Sequence, residues 1–310
     1  MKTKQRKWLW VIGITMVLAL AGIGAYAYSI YSNVKHTAQQ IYEPVTPIAP
    51  KKRTKPVSLK RQTPISFLLI GVDERKGDRG RADSLIVLTV NPNEKSIKLL
   101  SIPRDTRVEM VGKGKMDKIN HSYAFGSVNM TIATVEKFLD IPIDYYMKVN
   151  MESFKDIVDA VGGVTVDNPF AFTYDGVTFP KGEVTLNGDK ALKYARMRYD
   201  DPRGDFGRED RQKQIIEAVI QKGATLSSFV YYDDMLAAIA KHVKTNLTLT
   251  QMRDIQERYK EARQHMEQLH LQGTGTKING IFYVLISEKE RLAVSNALKT
   301  HLEVKQQRSG

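Results

Sequence analysis

Five arginines fall within one short stretch, YARMRYDDPRGDFGREDRQKQ from Tyr194 to Gln214: Arg196, Arg198, Arg203, Arg208 and Arg211. Arg196 and Arg198 stand two apart, so on an extended segment both guanidinium groups leave the same face. Pro202 and Gly204 break the chain, and Gly207 opens a helical pattern that puts Arg208, Arg211 and Gln212 at i, i+3 and i+4. A loop that folds back would bring two pairs of arginines and an amide to one point. Guanidinium forks match phosphate oxygens bidentately and stay charged at any relevant pH, and a helix N-terminus adds donors and partial positive charge. The stretch therefore reads as a pyrophosphate clamp. It also holds Asp200, Asp201, Asp205, Glu209 and Asp210, so a solvated loop of paired charges is the competing reading.

A second group of charges lies upstream. Asp73 follows an apolar run and Asp83 precedes the next one, with Arg81 two residues before Asp83 and Arg104 just beyond a third run. Magnesium takes one or two carboxylates and completes its octahedron with water and phosphate oxygens. Asp73, Asp83 and a bound diphosphate satisfy that pattern for Mg2+ (or Mn2+), while pairing with Arg75, Arg79 and Arg81 is the plainer alternative. His121, between Asn120 and Ser122, could act as a base, though a histidine in a polar loop more often only hydrogen-bonds. No phosphate-loop, nucleophile-elbow or zinc-protease motif is present, so ATP use and serine-hydrolase chemistry have no sequence support.

These residues must be held by a core. Ile65 to Val72, Ser84 to Val90, Ser96 to Ile102 and Tyr145 to Val149 read as strands, with Asn91-Pro92-Asn93-Glu94 turning the second into the third. Gly112 to Gly114 is a turn. Ser127 caps a predicted helix whose apolar face holds Val128, Ile132, Val135, Phe138 and Leu139. A second helix around Phe154 to Val161 stops at Gly162-Gly163, and Val164 to Val166 is a short strand. Residues 170 to 188 read as a small β excursion, and 191 to 195 carry a helical pattern. Helices are expected over 215–222, 232–243, 250–266 and 288–302, with strands at 269–271 and 281–286. Alternation of this kind predicts a three-layer α/β/α sandwich with a mixed central sheet.

At 310 residues and 42% hydrophobic content the chain can bury one large core. It has no cysteine, so disulfides, thiolate nucleophiles and zinc–thiolate sites are excluded. A net charge of +13 points to an anionic partner. Lys2, Lys4, Arg6 and Lys7 precede a run from Trp8 to Tyr28 without a charged residue, long enough to span a bilayer with the basic flank inside. The expected order is a cytoplasmic tail (1–7), a transmembrane anchor (8–28), an extended, solvated stalk (29–64) and an extracytoplasmic catalytic domain (65–305), hence a single-pass type II membrane protein. A cleaved signal peptide ending near Ala25-Tyr26-Ala27 is the rival.

The ordered set LLIGVDER (68–75), RADS (81–84), SIPRDT (101–106), KINHSYAFG (118–126), DAVGGV (159–164), YARMR (194–198) and DPRGDFGREDRQ (201–212) resembles the LytR–CpsA–Psr family. The resemblance covers most of the chain from Ile65 onward. It implies an extracytoplasmic α/β/α domain that moves a wall teichoic acid-type glycopolymer from undecaprenyl pyrophosphate to peptidoglycan and releases undecaprenyl phosphate. It further implies Asp73 and Asp83 at a metal, pyrophosphate contacts from Arg81, Arg104, Arg196, Arg198, Arg208 and Gln212 with Arg211 beside them, and a lipid tail held in an apolar pocket. Asp73 is the candidate for activating the acceptor hydroxyl, with Arg104, Arg196 and Arg198 as its catalytic companions. Ser127 departs from the pattern, where a second glycine after Gly126 is expected. The alternatives are a polyprenyl-pyrophosphate hydrolase, a non-catalytic or regulatory binder of anionic polymer, and a DNA-binding regulator. The last lacks any helix-turn-helix or ribonucleoprotein pattern, so nucleic acid is not an expected partner.

Overall fold

The computed structural model describes residues 26, 28–50, 52, 53, 55–74, 80–223 and 242–304. Three apolar segments form an antiparallel meander: β1 (Ile65–Val72), β2 (Ala82–Asn91) and β3 (Ser96–Ser101). The sheet grows at both edges. Strand β6 (Tyr145–Val149) joins β1 in parallel, β12 (His265–Leu269) joins β3 in parallel, and β11 (Lys244–Thr245) closes the far edge antiparallel to β6. The order β11-β6-β1-β2-β3-β12 makes a mixed sheet of six strands.

Side chains alternate between two cores because successive strand residues point to opposite faces. Leu68, Ile70, Leu85, Val87 and Leu100 meet Val128, Ile132 and Val135 of helix α2 (His121–Leu139) and Val294 and Leu298 of α7 (Glu288–His301). Ile65, Ile86, Leu88 and Leu99 face the other way. They pack with Ile216 and Ile220 of α5 (Asp205–Gly223) and Ile255 of α6 (Leu249–Arg258). Helices on both faces of a mixed sheet give the expected three layers.

A separate core lies behind α5. Helix α3 (Met151–Ala160), the small strands β7 (Val164–Asn168) to β10 (Gly182–Leu186) and helix α4 (Gly188–Arg196) enclose Val158, Phe172, Phe179, Leu186, Tyr194 and Met197. Phe172 lies 4.9 Å from Phe179 and 5.6 Å from Tyr194 between ring centroids. Ile215 belongs to this core and Ile216 to the sheet, so α5 is a wall shared by two cores.

Several expectations change. The helix expected over 250–266 ends at Arg258. Tyr259 turns inward to donate its hydroxyl to Thr63 O at 2.6 Å, and a 3-10 turn leads into β12, whose register pairs His265 with Ser96. The strand predicted at 269–271 is thus shifted upstream. The helix expected from Ser127 is preceded by another from His121, and the two join as α2 across a kink where Gly126 and Ser127 have non-helical angles.

The segment expected to be a solvated stalk is packed on the domain. Residues 28–41 are helical with Ala38 and Ile41 buried, Glu43 N–H donates to Thr245 O at 2.8 Å, and Arg53 grips both oxygens of Asp144 at 2.7 Å. Apart from Tyr26 and Tyr28, the anchor and the basic tail lie outside the described residues, as does most of the helix expected over 232–243. Among the described residues, no helix is long and apolar enough to cross a membrane.

Candidate active site

The site grows from an irregularity at the end of the β1–β2 ladder. Gly71 pairs with Ser84 and Val72 with Ala82, so Asp83 has no partner on β1 and forms a bulge. Bulges re-aim a side chain at the rim of a sheet. The carbonyl of Arg81 accepts from both the Asp73 N–H at 3.3 Å and the Asp83 N–H at 3.0 Å, tying the two acids to one turn. Gly80 makes that turn possible: its φ is +69°, and a Cβ there would stand 2.4 Å from Asp73 O. Arg81 itself is exposed.

Arg104 comes from the loop after β3. Thr106 is fully buried and closes this loop through its N–H and hydroxyl, both donating to Pro103 O at 2.9 and 2.6 Å. Asn120, at the start of α2, donates its N–H to Arg104 O at 3.2 Å and accepts from Ala82 N–H at 3.3 Å. That bridge holds the Asp83 and Arg104 segments side by side, and Arg104 Nη1 donates to Asp83 Oδ1 at 3.1 Å. Burial alone would depress the Arg104 guanidinium, but Asp83, Asp205 and Asp105 outweigh it and raise its pKa.

The first turns of α5 supply the other side. Arg208 is buried, and its Nη2 reaches Asp83 O at 3.4 Å and Asp205 Oδ2 at 3.0 Å. Ser84 Oγ orients the Gln212 carboxamide at 2.8 Å, and Arg198 Nε stands 3.7 Å from Asp205 Oδ1. Arg208 Nε and Asp205 Oδ1 are buried without a hydrogen-bond partner among the described residues. A buried polar atom left unpaired marks a place where a ligand or ion can complete the bonding. Burial, and then the neighbouring Arg104 charge, lower the Arg208 pKa. Asp83, Ser84, Arg104, Arg198, Asp205, Arg208 and Gln212 are thus linked in one cluster of alternating charge that holds an unpaired buried donor.

The family model described as the LytR_cpsA_psr family matches residues 28–300 of this sequence. The chain belongs to the LytR_cpsA_psr family. It is 52% identical over 303 residues to the polyisoprenyl-teichoic acid–peptidoglycan teichoic acid transferase TagU of Bacillus subtilis (strain 168), covering 97% of this chain and 98% of the relative. The crystal structure of B. subtilis TagU superposes with a TM-score of 0.64 at 52% identity, over 79% of this chain and 99% of that one. A structure described as TagT bound to LIIa-WTA matches with a TM-score of 0.73 at 30% identity, over 84% of this chain and 100% of that one.

In this LytR_cpsA_psr chain three of the expected arginines, Arg81, Arg196 and Arg211, stand outside the cluster. Arg211 is 1% exposed and faces the second core, where its Nε donates to Tyr194 O at 3.1 Å, one Nη to Asp201 Oδ2 at 2.5 Å and the other to Met197 O. All three of its nitrogens donate within the chain, which gives Arg211 a structural role here in place of the pyrophosphate contact expected of it. It pins the end of α4 and the Asp201 loop to α5. Burial would raise the Asp201 carboxyl, but the Arg203 N–H and the Arg211 guanidinium hold it below the ordinary range. Arg196 is the last residue of α4 rather than part of an extended segment, and it is exposed. Buried Met197 separates it from Arg198, which is half-buried.

Asp73 is half-buried beside Asp83 at the strand ends. No group of three or more histidine, aspartate or glutamate side chains among the described residues could hold a metal. Asp73 and Asp83 share one turn through the Arg81 carbonyl, and a magnesium ion held there would draw its remaining ligands from water and phosphate oxygens. His121 is turned toward Asp117, with Nδ1 3.0 Å from Oδ1, and sits edge-on to Phe125.

Sequence reasoning missed Asp205, the acid that both Arg198 and Arg208 contact. Its place three residues before Arg208 on a helix was the available signal. It also missed Asn120, whose backbone bridge no pattern announces, and Glu209. Burial, followed by the charge of Asp205, pushes the Glu209 carboxyl up to about 8.

Proposed function

We propose that the protein is a glycopolymer–peptidoglycan phosphotransferase that moves a teichoic-acid-type polymer from undecaprenyl pyrophosphate to a hydroxyl of peptidoglycan. The observation that carries the reading is the Asp83–Arg104–Arg208–Asp205 cluster, with its unpaired buried Arg208 Nε, in a chain 52% identical to TagU across nearly its whole length. The acceptor oxygen attacks the phosphorus that carries the polymer, and the bond from that phosphorus to the bridging oxygen breaks. The products are a phosphodiester-linked polymer and undecaprenyl phosphate, and the hydroxyl proton passes to a base, for which Asp73 is the candidate. Arg104, Arg198 and Arg208 bind the diphosphate oxygens and stabilise the charge that gathers on the leaving phosphate, where electrostatic terms usually dominate. Gln212, oriented by Ser84, adds a neutral contact. Arg81 and Arg196, both exposed, are assigned to the outer rim. Asp73 and Asp83 would hold magnesium together with the diphosphate, where the ion neutralises phosphate charge when bound.

The uncharged run from Trp8 to Tyr28 behind four basic residues supports an anchored chain with its domain outside the membrane. An apolar site for the polyprenyl tail belongs to the same reading. The test supplies the full chain in detergent with a synthetic polyprenyl-pyrophosphate glycan, magnesium and a peptidoglycan fragment. The expected product is the fragment bearing the glycan through a phosphodiester. Release of free glycan phosphate at the same rate without any fragment would make the protein a hydrolase instead.

A further inference from the structure

The alternation of charge in the site does not stop at Arg104. Asp105 stands between two cations, with Oδ2 3.9 Å from Arg104 Nε and Oδ1 2.7 Å from Lys118 Nζ. Lys118 ends β5 (Lys115–Lys118) and is paired in register with Arg107, which opens β4 (Arg107–Met110). Directly opposed residues of an antiparallel pair share one face, and two like charges placed so repel each other. Both cations lie over one ring, each 5.9 Å from the centroid of Tyr283 on β14 (Ile281–Leu285). Val284 N–H donates to Asp105 O at 2.9 Å and Thr106 bridges to Val284, which holds β14 against this edge. The acids around Arg107 are taken: Asp105 by Lys118 and Arg104, Glu109 by Lys137 at 2.7 Å, and Asp117 by Lys115 and His121. The half-buried Arg107 guanidinium makes no hydrogen bond or ion pair among the described residues. A row of charge running from Asp83 through Arg104, Asp105 and Lys118 thus ends beside a cation with no anion of its own.

Two cations held against each other make a place for an anion that the chain does not supply. A phosphodiester suits it, because its two free oxygens can take an arginine fork and an ammonium at once. A teichoic-acid-type polymer repeats that group along its backbone. Arg107 is three residues from Arg104, so their Cα atoms are at most about 11 Å apart. We infer that Arg107 and Lys118 form a subsite for a backbone phosphodiester of the polymer being transferred, beside the diphosphate site. The inference rests on the diphosphate reading of the Arg104 cluster. The polymer is assigned, rather than a carboxylate of the acceptor, because it is covalently tied to the diphosphate. Once the diphosphate is held, the polymer's own phosphates reach Arg107 at high effective concentration, whereas the acceptor must arrive separately.

The experiment titrates the full chain in detergent, with magnesium, against two synthetic polyprenyl-pyrophosphate glycans. One ends in its sugars, and the other is extended by a short poly(glycerol phosphate) chain. Wild type should bind the extended ligand roughly three- to tenfold more tightly, an advantage that shrinks as salt is raised. Arg107 is varied rather than Lys118, because Lys118 also neutralises Asp105 beside Arg104. Arg107→Gln should remove most of the advantage and leave affinity for the unextended ligand unchanged, which also shows that the site is intact. Arg107→Lys keeps the charge and should keep part of the advantage. Equal affinity of wild type for the two ligands would overturn the subsite. So would an Arg107→Gln variant that keeps the full advantage, or one that loses affinity for both ligands alike. Unchanged donor binding with a raised KM for the peptidoglycan fragment in Arg107→Gln would move the anion to the acceptor and overturn it too. If wild type binds neither ligand, the diphosphate reading fails first and the subsite with it.

Discussion

Arg208 and Arg211 lie one helical turn apart, and the structure gives them opposite work, so the same conservative change at each should have opposite effects. Arg208 uses Nη2 on Asp83 O and Asp205 Oδ2, and its buried Nε has no hydrogen-bond partner among the described residues. Arg208→Lys keeps one charge and one point of contact but loses the second edge of the fork. One hydrogen bond to a charged group contributes roughly 1.5–3 kcal/mol, so transfer should fall on the order of ten- to a hundredfold in kcat/KM. Stability should move by only about 1 kcal/mol, the worth of the long bond to Asp83 O. Arg211 spends its donors on Tyr194 O, Met197 O and Asp201. A lysine there can serve only part of that set and leaves buried acceptors unpaired, costing about 3–5 kcal/mol. A domain of this size should then melt roughly 10 °C lower. The assays are transfer to a peptidoglycan fragment at saturating magnesium and urea unfolding of the same preparations. Wild-type transfer by Arg208→Lys would refute the clamp. A stable but inactive Arg211→Lys would return Arg211 to the pyrophosphate.

Three further outcomes are expected. His301 is buried between Thr89 Oγ1 at 2.7 Å and Ser96 Oγ at 2.8 Å, and burial followed by the Lys98 charge pushes its pKa down to about 4. Because the unfolded chain takes up that proton near pH 6.5, stability present above 6.5 is lost as pH falls toward 4, about 2 kcal/mol by pH 5. His301→Gln should remove that share of the slope in urea unfolding at pH 7.5 and 5, and an unchanged slope would clear His301 of the effect. Ser127 has φ 55° and ψ −153°, a region suited to glycine, so Ser127→Gly should stabilise by about 1 kcal/mol and raise Tm by roughly 2–4 °C; a lower Tm would show that the hydroxyl matters more than the backbone. At Gly207 a Cβ would stand 1.8 Å from Asp201 Oδ2, so Gly207→Ala should push Asp201 off Arg211 and cost on the order of 3 kcal/mol, with no change in the unfolding midpoint counting against that contact.

The parts of the fold that were legible were those set by local pattern. The meander β1–β2–β3 follows from three apolar runs and an Asn-Pro-Asn turn, and the small β excursion from its glycines and aromatics. What escaped depended on distant partners. Nothing local in residues 29–64 announces that Ala38 and Ile41 are buried or that Arg53 meets Asp144, because a proline- and lysine-rich segment looks solvated until a surface is supplied for it. The break after Arg258 is similar, since a helical pattern gave way to the pairing of β12 with the exposed edge of β3.

The site divides along the same line. Asp83, Arg104, Arg208 and Gln212 could be picked from the sequence because guanidinium groups and paired acids are chemically conspicuous. The separate placement of Arg211 has a geometric cause. At about 100° per residue, Arg211 lies roughly 60° to one side of Arg208 and Gln212 about 40° to the other. All three share one face of an isolated helix. Helix α5 is not isolated, because one side covers the sheet and the other closes the core of Tyr194 and Met197. Arg208 sits in the first turn of α5, where it meets Asp83 and Asp205, and Arg211 one turn further on, where it meets Tyr194, Met197 and Asp201, so a single face in the sequence becomes two environments in the fold. The second environment is made by Tyr194 and Met197 at the end of α4 and by Asp201 in the loop beyond it, partners that no local pattern in α5 announces.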